Sequence, residues 1–182
     1  MATQIDTHDL LDRMGGPVGP ERWKAYGELE ALGAEAASQL AIEMLSHPNW
    51  YVRRAAAIYA DHHPDPALLE RLKLALHDPK AKVRLFAVHS LSCEPCKPGG
   101  NPVDATPYLI RAMKEDKAPR VRRMAAVMLT LGAPEKRVVR AFRHVLEHEP
   151  DEKVRRWATM ALDRMARTIS PSPLEEGEGA GG

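Results

Sequence analysis

The sequence predicts an all-α protein, a right-handed α-solenoid of stacked helical hairpins. A short phrase recurs four times along the chain: an acidic or turn-forming stretch is followed by Val-Arg and then by alanines at helical spacing. Successive copies lie 31, 38 and 33 residues apart, counted between their valines Val52, Val83, Val121 and Val154. Self-similarity at such a period is typical of solenoids, in which each unit buries its apolar face only against its neighbours.

Composition agrees with this class of fold. Aromatic residues make up only 5% of the 182 residues, and alanine, leucine, arginine and glutamate are abundant, which favours helices over strands. The apolar positions recur three and four residues apart, as in helices with one buried face. This spacing predicts helices over residues 6–14, 21–32, 34–46, 51–60, 67–76, 81–91, 104–113, 119–131, 134–146 and 152–165.

Glycine and proline mark the ends of these helices in chain order. The first ends at Gly15-Gly16-Pro17, and the second begins behind Pro20, since proline is favoured at the first helical position. Gly33 separates the second helix from the third. The later helices are separated by breaks of the same kind, at His47-Pro48-Asn49, Asp65-Pro66, Asp78-Pro79 and, further on, Pro119 and Pro134.

Three segments follow from this pattern: an N-terminal helix or linker over residues 1–19, the repeats over 20–167, and a disordered acidic tail rich in glycine, proline and serine over 168–182. The net charge is +1, and the acidic ends leave the middle segment mildly basic, too weakly to indicate nucleic-acid binding alone. Because the sequence shows neither a signal peptide nor an apolar run of about 18 residues, we expect a cytoplasmic protein outside the membrane.

The recurring phrase resembles the short HEAT-like repeats of bacterial proteins, of the phycobilisome-lyase type. The resemblance covers residues 20–167 and rests on Val-Arg, the following alanines and a Leu-Gly near the helix end. It implies stacked hairpins whose second helices line a concave face. Ankyrin and tetratricopeptide repeats have similar periods of about 33–34 residues, but their characteristic phrases do not occur at the matching places.

The first arginine of each phrase is predicted to be structural. In HEAT-like repeats the equivalent arginine usually pairs with an acidic residue of the turn between helices. The predicted pairs are Asp78 with Arg84, Asp116 with Arg122 and Asp151 with Arg155. The first unit has Asn49 in its turn, so we expect no such pair for Arg53.

The second arginine of the phrase is the candidate partner-binding position. Arg54, Arg123 and Arg156 are predicted to face away from the buried stripe, and Leu85 stands there in the remaining copy. Trp50 and Trp157 lie beside these arginines and could add stacking to the site; the alternative is that they belong to the core of the repeats. Arginine suits carboxylates and phosphates through its planar fork of donors. A solvated helix face is the alternative interpretation.

The longest interval between repeats contains Cys93 and Cys96 in a C-x-x-C arrangement. Two thiolates on a tight turn form half of many zinc sites. His89 shares a helix face with Cys93, and His62 holds the corresponding position one repeat earlier, with His63 beside it. His89 together with His62 or His63 would complete a candidate site for a structural zinc ion. The alternatives are a dithiol redox switch and two inert reduced cysteines.

The sequence favours a binding module over an enzyme. Some HEAT-like proteins carry His-Glu pairs for a di-iron site, but the matching positions here begin with Arg54, Leu85, Arg123 and Arg156. No catalytic residues and no cofactor beyond the candidate zinc are therefore predicted. We expect a scaffold or adaptor that docks an acidic protein or peptide on its concave arginine-bearing face. The alternatives are a nucleic-acid-binding protein and a bilin-lyase-like enzyme or chaperone.

Overall fold

The computed structural model describes residues 5–93, 96–97 and 101–169. Within these ranges the chain forms ten α-helices and no strand, which confirms the predicted all-α class. The helices are α1 Thr7–Gly15, α2 Pro20–Ala31, α3 Ala34–Met44, α4 Trp50–His62, α5 Pro66–Ala75, α6 Ala81–Ser92, α7 Thr106–Glu115, α8 Pro119–Leu131, α9 Lys136–His148 and α10 Glu152–Ile169.

Every helix predicted from the apolar spacing is present. The largest difference lies at the end of α10, which continues to Ile169 instead of ending at Met165, because no glycine or proline interrupts the chain before Pro171. The predicted tail therefore starts with two helical residues, and its remainder, residues 170–182, lies outside the described residues, as do Glu94, Pro95 and residues 98–100 of the long interval. None of the described helices is long and apolar enough to cross a membrane.

The chain divides into two compact units, residues 1–105 and residues 106–182. In the first unit, α3 packs beside α5 and α4 beside α6, which is the layered stacking of helical hairpins. The N-terminal helix α1 packs on α2 and α4, so it belongs to this unit. In the second unit, α7 packs beside α9 and α8 beside α10 in the same manner.

The repeated valines lie at the centre of this packing. Val52, Val83, Val121 and Val154 are each fully buried. On α4 the stripe continues through Ala55, Ala56 and Tyr59, as the helical period predicts. Small side chains on this stripe let neighbouring helices approach closely.

The first arginine of each phrase braces the turn that precedes its helix. The Nη1 atom donates to the carbonyl oxygen six residues earlier in all four units, at 2.7 Å for Arg53, Arg122 and Arg155 and 2.8 Å for Arg84. These carbonyls end a helix or a turn and have no helical partner of their own. The predicted structural role of this arginine is therefore confirmed.

For Arg122 the predicted acidic partner is wrong, and Arg53 has a partner where none was expected, because in both units the carboxylate comes from the following turn. Arg53 binds both oxygens of Asp78, at 2.5 and 3.1 Å, so the first unit does form an ion pair. Arg122 likewise binds Glu149, at 2.7 Å for each bond, and this hydrogen-bonded carboxylate raises the pKa of the guanidinium. Asp116 and Asp151 instead accept hydrogen bonds from backbone amides of their own turns.

At Gly15, the last residue of α1, the backbone lies close against the beginning of α4. A Cβ atom at this position would lie 2.6 Å from Asn49 Nδ2. That nitrogen donates a hydrogen bond to the Gly15 carbonyl oxygen. The other amide atom of the same side chain, Asn49 Oδ1, accepts a hydrogen bond from the Tyr51 amide and so caps α4. Gly15→Ala should therefore lower the free energy of unfolding by about 1–3 kcal/mol, since overpacking displaces the cap. Urea denaturation measures the change.

Gly27→Ala is the matched control for this substitution. No atom lies within 4 Å of a Cβ built at Gly27, in the middle of α2. Alanine should therefore stabilise the helix by about 0.5–1 kcal/mol. Equal stabilisation by the two substitutions would show that the close approach at Gly15 carries no cost.

Candidate binding site and metal cluster

An arginine occupies the buried face of α2. The buried residues of this helix are Arg22, Ala25 and Leu29, the spacing of a core stripe. Arg22 is only 3% exposed, and none of its three guanidinium nitrogens has a hydrogen-bond partner among the described residues. Burying an unpaired charge is costly, so this arginine requires either compensation from neighbouring groups or an acceptor supplied from outside.

Part of that compensation comes from aromatic rings. The Arg22 Cζ atom lies 4.9 Å from the centroid of the Tyr51 ring on α4. The Arg54 Cζ atom lies 5.8 Å from the same centroid, 5.9 Å from that of Trp50 and 5.8 Å from that of Phe86 on α6. Cation–π contacts of this kind contribute about 0.5–2 kcal/mol each. They do not satisfy the guanidinium N–H groups, and Arg54 Nε is also buried without a partner in the described part of the chain.

Tyr26 closes this group of side chains. Burial raises the pKa of its phenol, while the positive charges of Arg54 and Arg22 partly offset that rise. Both arginines therefore act electrostatically on one tyrosine, whose hydroxyl has no hydrogen-bond partner among the described residues. We call this set of residues the arginine–aromatic cluster: Arg22, Tyr26, Trp50, Tyr51, Arg54 and Phe86.

The cluster unites only part of the predicted partner-binding set. Arg54 and Trp50 belong to it, at the start of α4. Arg123 on α8 and Arg156 on α10 lie in the second unit, where Arg123 is half-buried and Arg156 exposed. Trp157 follows Arg156 and is half-buried. Arg22 and Tyr26 were not predicted, although an arginine at the first position of the apolar stripe of α2 was visible in the sequence.

A second group of side chains lies at the C-terminal ends of α4 and α6. One ligand atom from each of four residues falls within 4.8 Å of all the others, and the residues are Asp61, His89, Cys93 and Cys96. The two sulfur atoms are 2.6 Å apart, and His89 Nε2 is 3.2 Å from Asp61 Oδ2. We call these four residues the Cys–His–Asp cluster.

The structure brings together three of the four residues predicted for the metal site and places Asp61 where His62 was expected. His62 is 65% exposed, and its Nε2 atom is 3.8 Å from the Asp61 carboxylate. Because successive helical residues are rotated by about 100°, only one of this pair can face α6, and that residue is Asp61. His63 lies apart from the cluster and stacks on Tyr59.

Lys97 provides a positive charge beside the Cys–His–Asp cluster. Its side chain is fully buried, and its Nζ atom donates to the Cys93 carbonyl at 3.1 Å and lies 3.9 Å from Asp61 Oδ1. Hydrogen bonding to Cys93, burial and the nearby Asp61 raise the pKa of the Cys96 thiol to about 12.

Paired helices, stacked in register and tied by a repeated arginine, define the chain as an α-helical repeat protein. A family model described as HEAT repeats matches it over residues 9–92, 37–129 and 69–163. The chain therefore belongs to the HEAT-repeat family, as the recurring Val-Arg phrase predicted, and its fold is an all-α solenoid.

Solved structures show the same fold. The crystal structure of the Escherichia coli protein YibA is similar with a TM-score of 0.65 and 22% identity over 95% of this chain. The chain spans 63% of that protein's length. Two engineered proteins each reach a TM-score of 0.52. The first has 22% identity, and the match covers 86% of this chain and 71% of the engineered chain. The second has 16% identity, and the match covers 90% of this chain and 93% of the engineered chain. Among curated proteins, no sequence matches the chain.

Proposed function

We propose that this HEAT-repeat protein is a scaffold that docks an acidic protein segment, with a carboxylate of that segment bound by Arg22 and Arg54. HEAT repeats are in general protein-interaction modules, so the family supports a role as a scaffold for protein interaction. The observation that supports a carboxylate-binding site is the Arg22 guanidinium, which is buried and has no acceptor in the described part of the chain. A carboxylate from outside would satisfy these donors and neutralise the charge.

The composition of the arginine–aromatic cluster also favours a protein partner. Tryptophan, tyrosine and arginine are the residue types that dominate binding energy at protein interfaces. Trp23 adds a 68% exposed indole on α2, with its ring centroid 6.0 Å from that of Tyr26. An acidic side chain flanked by apolar residues would therefore find both donors and apolar surface here. Arg123, Arg156 and Trp157 are candidate partner contacts of the second unit, taken by itself.

Fluorescence anisotropy with a defined peptide panel tests this function. The peptides present Glu or Asp beside Leu or Phe, and each has a matched Gln or Asn version. Arg22→Gln and Arg54→Gln should each weaken the tightest acidic peptide about 10–100-fold, because each removes charge-assisted hydrogen bonds worth about 1.5–3 kcal/mol. Arg71→Gln is the control, since Arg71 is exposed on α5 and, among the residues that the structure describes, donates to Ser46 Oγ.

A single-stranded oligonucleotide distinguishes the nucleic-acid alternative in the same assay. Nucleic-acid binding should weaken by roughly 0.7 log units per log unit of salt for each phosphate contact. Tight, steeply salt-dependent oligonucleotide binding without discrimination between Glu and Gln peptides would contradict the proposed function. Equal binding by the Arg22, Arg54 and Arg71 variants would contradict the proposed site.

A further inference from the structure

The Cys–His–Asp cluster has the donor atoms of a zinc site. Two thiol sulfurs, one imidazole nitrogen and one carboxylate oxygen are all established zinc ligands, and four such ligands form the closed tetrahedron of a structural site. Ligands at about 2.0–2.3 Å from zinc lie about 3.3–3.8 Å from one another in a tetrahedron. The observed separation of His89 Nε2 and Asp61 Oδ2, 3.2 Å, is close to this geometry. The sulfur atoms, at 2.6 Å, need only move apart by about one ångström.

The local fold holds three of these donors in place without a metal. His89 lies in the last turn of α6, and its carbonyl accepts the amide of Cys93, the residue that caps this helix. Asp61 lies near the end of α4, which packs on α6. Asp61 and Cys93 are each 7% exposed, so the donors face one another in the interior of the first unit.

The charges around the cluster also balance with one divalent cation. Two thiolates and the Asp61 carboxylate carry three negative charges, and Zn²⁺ together with the buried Lys97 ammonium carries three positive charges. Asp61 Oδ1, which has no hydrogen-bond partner among the described residues, lies on the Lys97 side at 3.9 Å, whereas Oδ2 lies on the His89 side. This arrangement suits coordination through Oδ2 with Lys97 as the supporting contact, because ligating carboxylates usually have such a partner.

We propose a structural Zn²⁺ site whose ligands are Asp61, His89, Cys93 and Cys96. The ion fastens the turn after α6 to the end of α4, and thereby holds the beginning of the long interval between repeats. Binding releases the thiol protons and forms two zinc–sulfur bonds, with no change in oxidation state. This site is independent of the arginine–aromatic cluster, so either proposal can fail alone.

Metal analysis of the full chain tests this proposal. Protein purified in reducing buffer without chelator should contain one zinc ion per chain, and Co²⁺ exchanged into the site should give the visible spectrum of a tetrahedral thiolate complex. Asp61→Asn and Cys96→Ser should each weaken zinc by at least tenfold in a competition assay with a chromogenic chelator. Lys97→Gln should weaken zinc about 10–100-fold, as expected for an outer-shell partner.

His62→Gln is the matched control, because this histidine is adjacent to Asp61 and exposed. It should retain zinc and the cobalt spectrum. Two measurements separate loss of metal from loss of fold: circular dichroism of each variant, and thiol titration of the wild-type protein with and without chelator. Chelation should expose two titratable thiols while the helicity of the protein persists. Reduced wild-type protein that takes up no stoichiometric zinc or cobalt would overturn the proposal, as would loss of metal in the His62 variant with retention in the Asp61 variant.

Discussion

Replacing Glu149 with alanine should destabilise the protein by about 3–5 kcal/mol, the largest effect expected from any single polar substitution. The Glu149 carboxylate forms two hydrogen bonds with Arg122, both at 2.7 Å, and accepts a third from the Asp151 amide at 2.9 Å. Arg122 and Glu149 are 9% and 8% exposed. Truncating the carboxylate leaves the guanidinium charge buried without its counter-ion, and that desolvation cost dominates the loss. Equilibrium unfolding of the full chain in guanidinium chloride measures the change in the free energy of unfolding.

Two further variants show whether burial of the charge is the cause. Glu135→Ala breaks the ion pair with Arg137, whose two side chains are 40% and 42% exposed, and should cost less than about 1 kcal/mol. The double variant Arg122→Met with Glu149→Leu removes both charges and should recover most of the stability lost in Glu149→Ala. A Glu149→Ala cost as small as that of Glu135→Ala would refute the structural role of this ion pair.

Arg22→Met should raise the stability of the protein and weaken binding of the acidic peptide. Methionine keeps an unbranched apolar side chain in the core of α2 and removes a charge that has no acceptor among the described residues. Replacing buried charges with apolar residues is often neutral or stabilising by about 1–4 kcal/mol. We therefore expect a higher melting temperature together with at least a tenfold loss of peptide affinity.

This combination distinguishes a binding arginine from a structural one. Residues kept for function commonly lower the stability of the fold, whereas structural residues raise it. Arg53→Met is the comparison, because Arg53 binds Asp78 through two hydrogen bonds and should lose stability when replaced. If Arg22→Met lost as much stability as Arg53→Met, Arg22 would be part of the scaffold and the proposed binding site would be wrong.

The periodic features of the fold could be predicted from the sequence. The Val-Arg phrase recurs in phase, and its valines are all buried. Helix ends followed from glycine and proline. The partners of the first arginine could not be predicted in the same way, because the turns before and after a unit both offer acids. Spacing along the chain does not determine which carboxylate, Asp116 or Glu149, reaches Arg122. Only the stacking of hairpins places Glu149 there.

The candidate sites show a similar division. The C-x-x-C arrangement and His89 lie within one short stretch, so local spacing identified them. The fourth residue comes from a neighbouring helix, where an error of one position turns the side chain by about 100°, and this is the difference between His62 and Asp61. Arg22 was missed because the Tyr51 ring that lies beside its guanidinium belongs to another helix, α4. An arginine in register with Ala25 and Leu29 was the available indication.

A double-mutant cycle between Arg22 and one glutamate of the tightest peptide tests the central claim most directly. Affinities are measured for wild-type protein and Arg22→Gln, each with the Glu peptide and with its matched Gln peptide. If the carboxylate binds Arg22, the two changes should be non-additive, with a coupling energy of about 1.5 kcal/mol or more. Additive changes at every glutamate of the peptide would contradict the account, since Arg22 would then bind no carboxylate of the partner.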